Sequence, residues 1–140
     1  MLYMSRTDLR GLQLAGAELT GALIRHANLA RAFLREARLD RSNLKDTDLR
    51  GSDLEDARLT GADLSRAYLQ GANLRRADLS HADLRGTNLT GAVLESTVLT
   101  GAQADNDTSW PADVDAGRRH ELGIIEIGHD GPDQMAAVKT

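Results

Sequence analysis

Four histidines and a scatter of serines are the residues of this chain with the most chemistry in them. His120 stands beside Glu121 and His129 beside Asp130, residue types that hold a divalent cation or pass a proton. Neither pair sits in a spacing that fixes a metal, so solvated side chains are the simpler reading. His26 and His81 are far apart in the chain, and no serine has a base placed to activate it. The chain has no cysteine, which removes disulfides, thiolate ligands and thiol catalysis. Its nine glycines up to Gly101 are spaced by multiples of five and form no phosphate-binding cluster. The expectation is a protein with no catalytic residue, no cofactor and no metal site, and not an enzyme.

Whatever the surface does, one stretch positions it. Leucines fall at Leu9, Leu14, Leu19, Leu29, Leu34, Leu39, Leu44, Leu49, Leu54, Leu59, Leu64, Leu69, Leu74, Leu79, Leu84, Leu89, Leu94 and Leu99. Ile24 fills the single gap, and Ala104 closes the series. Two residues before each centre sits Ala, Ser or Thr, with Leu12 as the exception. Asp or Asn precedes half of the centres, so the unit reads A-(D/N)-L-x-x.

A period of five fits neither the ~3.6 of a helix nor the ~2.0 of a strand. Helical residues five apart are rotated by roughly 500°, so the leucines would spiral around the surface and bury nothing together. A chain that turns a corner every five residues does explain the pattern. The small residue and the Leu are two apart, which puts both on one face of an extended segment. If that face points inward, a Leu layer and a small layer fill a narrow axis without voids. Four corners close a coil, and coils stack at roughly 4.8 Å. Gly is frequent at the last position of the unit, where a turn takes positive φ.

These residues resemble the pentapeptide-repeat family over about three-quarters of the chain. The resemblance implies an all-β fold, a right-handed quadrilateral parallel β-helix of about five coils. The expected division is a β-helix over 1–106 and a capping segment with a mobile tail over 107–140. The segment from Asp107 to Ala112 resembles tails that follow such repeats in bacterial proteins. Trp110 is expected to cover the end of the last coil, since a repeat array needs a polar end cap. Pro111 is expected to start a short helix through about Glu121, ended by Gly123. The run Ile124, Ile125 and Ile127 is expected to pack against Val93 and Val98. Leu2 and Leu12 are expected to plug the N-terminal end or to touch a second copy.

Charge limits the partners. Net charge is −4. Lys plus Arg and Asp plus Glu balance at fourteen each up to Asn106, so the negative excess lies in the tail. A balanced rod with few outward aromatics (Phe33 and Tyr68) does not read as a direct nucleic-acid binder. No apolar run approaches the ~20 residues of a membrane span, and the start lacks a signal-peptide pattern, so a cytoplasmic protein is expected. The leading functional expectation is a rigid, non-catalytic scaffold for an unidentified protein partner. The resemblance carries a second one. Some family members mimic duplex DNA, bind DNA gyrase or topoisomerase IV, and change quinolone or toxin sensitivity. Homodimerisation through a coil end or the C-terminal segment is a further expectation.

Overall fold

The fold follows from the way each pentad spends its backbone hydrogen bonds. In the computed structural model, which describes residues 1–128, parallel bridges join residues twenty apart, from Tyr3–Leu23 to Asp83–Gln103. Four pentads therefore make one coil of a parallel β-helix. The unit centred on Leu59 shows the pattern. The Arg58 N–H donates down to the Ala37 carbonyl at 2.9 Å, and the Leu59 N–H donates up to Asp78 at 2.7 Å. The Ala62 N–H then closes a turn onto the Leu59 carbonyl at 3.0 Å. These bonds tie the unit to the coil below, to the coil above and across its own corner, as a backbone packed on both sides requires.

The turn needs a positive φ at its third residue. Gly61 supplies it at +67°. Eleven corners instead hold non-glycine residues in the left-handed region, among them Arg31, Arg41, Asp46, Arg66 and His81. The repeat imposes the conformation on whatever residue arrives there, at a cost of about 1–2 kcal/mol each.

Inside, the centres from Leu19 to Leu89 and Leu99 are buried, while Leu9, Leu14 and Leu94 near the two ends are half-buried. Ala and small hydroxyl residues form the alternating layer. Thr47 sits there because its hydroxyl donates to the Ile24 carbonyl of the coil below at 2.8 Å. Thr87 and Thr97 repeat that bond at 2.6 Å. The Ser52 hydroxyl is equally buried and has no hydrogen-bond partner among the described residues. Ser52→Ala should therefore raise stability by about 1 kcal/mol, and Thr47→Ala should lower it by about 1 kcal/mol. Urea unfolding of the two variants checks the opposite signs.

The C-terminal segment departs from the expectations in informative ways. At the end of the repeat, the Asp105 carboxylate accepts from the Gly86 and Asp107 N–H groups at 3.0 Å each. It stands where a backbone carbonyl would otherwise serve Gly86, and the chain absorbs one extra residue. Asn88 then bridges to Ser109, twenty-one residues on, and the Thr108 hydroxyl donates to the Leu84 carbonyl at 2.8 Å. The register thus resumes, with Trp110 in the position of a central Leu above Leu89. The helix α1 spans Ala116–Glu121, not from Pro111. Asp115 is its N-cap, accepting from the Arg118 N–H at 2.8 Å.

The isoleucine run does not pack on Val93 and Val98. Ile125–Glu126 forms a strand pairing parallel with Gln103–Ala104. A free strand edge is a stronger demand than two exposed valines. Val98 stays 44% exposed, while Val93 and Leu94 border a shallow recess beside Val114 and Leu122. Leu2 and Leu12 do not plug the first coil and are 47% and 43% exposed. The stretch beyond Gly128 expected to be mobile, with His129 and Asp130, lies outside the described residues.

Candidate interaction surface

Three of the five positions in each pentad point outward, so the surface is a set of vertical columns with one residue per coil. The first side carries the pentads centred on Leu9, Leu29, Leu49, Leu69 and Leu89. The second carries Leu14 to Leu94, the third Leu19 to Leu99, and the fourth Ile24 to Ala104, in steps of twenty. This geometry brings together residues that lie far apart in the chain.

Charges pair in two ways. Within a pentad, Asp grips the Arg two residues on. The Arg50 Nε and Nη2 donate to the two Asp48 oxygens at 2.9 and 2.6 Å. Asp8–Arg10 and Asp83–Arg85 repeat the same grip. Between coils, Arg66 clasps Asp46 at 2.9 and 3.1 Å, and Arg76 clasps Asp56 at 3.0 and 3.3 Å. The acidic group Asp53, Glu55 and Asp56 on the second side is partly neutralised by two arginines. Arg35 below reaches Glu55 at 2.5 Å and Arg76 above reaches it at 3.0 Å. By contrast, Arg25, Arg31, Arg41 and Lys45 make no ion pair with a described residue.

These pairs set the titration of the acids. The Arg66 hydrogen bonds hold the Asp46 carboxyl below its usual range, and those of Arg50 do the same for Asp48. Burial pushes the Asp83 carboxyl up, but the hydrogen bonds from Arg85 outweigh it and the net shift is downward. Such groups are deprotonated more readily in the rod than in the unfolded chain. Their contribution is therefore full above the unfolded value near ~4 and is lost as pH falls through the folded values. Urea midpoints should be flat from pH 7 to about 5 and should decline below about 4. A midpoint that rises on acidification would contradict this.

The histidines are not brought together. His26 is on the fourth side, 3.5 Å from Asp46, and His81 is on the third side, lying over Gly101. A Cβ added at Gly101 would stand 2.4 Å from the His81 ring. His120 is in α1, exposed. Among the described residues no group of three or more His, Cys, Asp or Glu is placed to hold a metal ion. No helix among them is long and apolar enough to cross a membrane.

Trp110 is half-buried against the core, and the Arg119 guanidinium lies 5.8 Å from its ring centroid. Arg119 also donates to Glu126 at 2.7 Å and to the Val114 carbonyl at 3.1 Å. Sequence reasoning did not single out Arg119, because its partners converge only once Ile125–Glu126 has paired with the last coil.

The family model described as pentapeptide repeats (8 copies) matches residues 3–41, 17–56, 57–95 and 77–106. The chain belongs to the pentapeptide-repeat family. The solved pentapeptide-repeat protein Rfr23 carries the same fold, a right-handed β-helix. Rfr23 from the cyanobacterium Cyanothece 51142 is 44% identical with a TM-score of 0.67, over 67% of this chain and 64% of its own. This chain therefore spans somewhat under two-thirds of that protein. A pentapeptide-repeat protein of the Arabidopsis thaliana thylakoid lumen is 29% identical over 85% of this chain and 76% of its own, with a TM-score of 0.48. HetL from Nostoc sp. strain PCC 7120, a pentapeptide-repeat protein involved in heterocyst differentiation regulation, is 26% identical over 92% and 77%, with a TM-score of 0.40. No curated protein matches the sequence significantly.

Proposed function

We propose that this pentapeptide-repeat protein is a non-catalytic, rigid scaffold that binds another protein through its outward columns. The observation that carries the reading is the filled axis. From Leu19 to Leu89 the centres are at most 5% exposed, so a partner meets only the outer positions. Those positions are fixed by the coil, which lowers the ordering cost of binding. Residues 1–106 form the β-helix of about five coils, and residues 107–128 carry its register on through Ser109 and close its end, with Trp110 as the capping residue. A cytoplasmic location and the absence of a cofactor belong to the same proposal, as does self-association through a coil end or the C-terminal segment.

The test is capture from a bacterial lysate with the intact protein as bait, read by mass spectrometry. A specific protein retained at physiological salt and competed by free bait is the expected result. Recovery of gyrase or topoisomerase IV subunits would favour the DNA-mimic reading that the family resemblance carries. Retention of nothing beyond what an inert bait retains would remove the scaffold reading.

A further inference from the structure

The first side holds a shallow recess of about 470 Å³ whose lining includes Arg10, Asn28, Ala30, Arg31, Asp48 and Arg50. Ala30 creates it. In its column the coil below offers Arg10 and the coil above Arg50, and Ala leaves a notch between two guanidinium walls. Both walls are set in place beforehand. Asp8 and Asp48 engage the Nε and Nη2 groups of Arg10 and Arg50 and leave each Nη1 to donate elsewhere. In the floor, the Asn28 Oδ1 accepts from the Ala30 N–H at 3.0 Å, so the Asn28 amide nitrogen remains a donor.

Arg31 completes the recess from the adjoining corner. Its corner column reads Gly11, Arg31, Gly51, Gly71, Gly91, all at positive φ. Arg31 alone there takes the strain of a side chain, at φ 57°, and it makes no ion pair with a described residue. Its Cγ lies 3.4 Å from where a Cβ on Gly51 would stand, so the side chain rises against the corner of the next coil, and it lines the recess together with Arg50. Three cations thus border one notch, and Asp48 is the one acid in its lining.

The chemistry selects the ligand. Guanidinium forks and an amide donor match the two oxygens of a carboxylate. The column above Arg50 continues with Gln70 and Thr90, so the positive charge is local, and the lining has no aromatic ring. A nucleic acid would call for a continuous basic stripe and stacking rings. We propose that the Arg10–Arg31–Arg50 recess receives an acidic side chain from a segment of the partner protein. This rests on the scaffold reading and names the partner's chemistry.

The test uses the full chain and a labelled, end-capped pentaglutamate peptide, read by fluorescence anisotropy. Saturable binding by the native protein is expected. Arg31→Gly restores the residue its column otherwise holds, so it should melt no lower than the native protein yet bind at least about tenfold more weakly. Arg41→Gly is the matched control. Arg41 also makes no ion pair with a described residue, at φ 55°, with its Cγ 3.5 Å from where a Gly61 Cβ would be, but it lies outside the recess. Its binding should equal that of the native protein. No saturable binding, or equal binding by Arg31→Gly, would overturn the proposal. So would inorganic phosphate displacing the peptide at the peptide's own concentration, which would reassign the recess to a free anion. Lysate capture by Arg31→Gly at the native level would leave the scaffold standing and remove only the recess.

Discussion

Leu59→Lys is expected to leave no folded rod, while Arg58→Ala, one residue away, is expected to be nearly silent. Leu59 is 0% exposed at the middle of the axis. Its loss removes roughly 1.5–3 kcal/mol of apolar burial. The ammonium that replaces it costs several kcal/mol more, because no acid in a filled axis can pair with it. The sum is comparable with the whole stability of a small domain, about 5–15 kcal/mol. The Arg58 side chain is 58% exposed and its Nε is 3.5 Å from Asp40, a contact worth under about 1 kcal/mol. Circular dichroism and urea unfolding of the pair decide the matter. A folded Leu59→Lys, or equal effects at the two positions, would contradict an inward-facing leucine.

Trp110→Ala should be the second-largest loss, about 3 kcal/mol, at the low end for Trp→Ala because the ring is only half-buried. The resumed register places Trp110 above Leu89, so the change uncovers the end of the axis. It also strips the ring from beneath the Arg119 guanidinium, which ties Val114 and Glu126 together. Because stability in a stacked repeat is nearly a sum over neighbours, the damage should begin at that end. Amides such as Leu84 and Leu89, which bond to Gln103 and Ser109, should exchange faster, while Leu54 and Leu59 change less. Trp110→Phe should recover most of the loss. An unchanged melting temperature with unchanged exchange at Leu89 would remove Trp110 from the capping role.

The repeat was legible because one packing rule recurs without a break. Each Leu and each small residue two positions earlier repeats the same burial, and the period alone excludes helix and coiled coil. Features outside that rule were not legible. Nothing in the sequence announces that Arg31 or His81 will adopt a left-handed φ, because the neighbouring coils impose it. The extra residue near Asp105 is hidden because a side-chain carboxylate takes over from a carbonyl. Pro111 reads as a helix start, but it follows Trp110 in the resumed register, and Asp115 caps the helix instead. Hydrophobicity alone points the isoleucine run at Val93 and Val98, whereas the open edge at Gln103–Ala104 decides the position of Ile125–Glu126. Arg31 counted in the sequence as one arginine among balancing acids. Only the twenty-residue column shows that its corner neighbours are glycines and that Ala30 opens a notch beside it.

The central claim is that one outward surface of a rigid rod does the binding. The direct measurement is the affinity of the captured partner for four full-length variants. In each, the outward residues flanking the central leucines of one side are replaced by Ser, and folding is verified by urea unfolding. The rod predicts that the first-side variant, which loses Arg10 and Arg50, binds at least about tenfold more weakly while the other three stay within about twofold of native. Equal affinity in all four folded variants would contradict it.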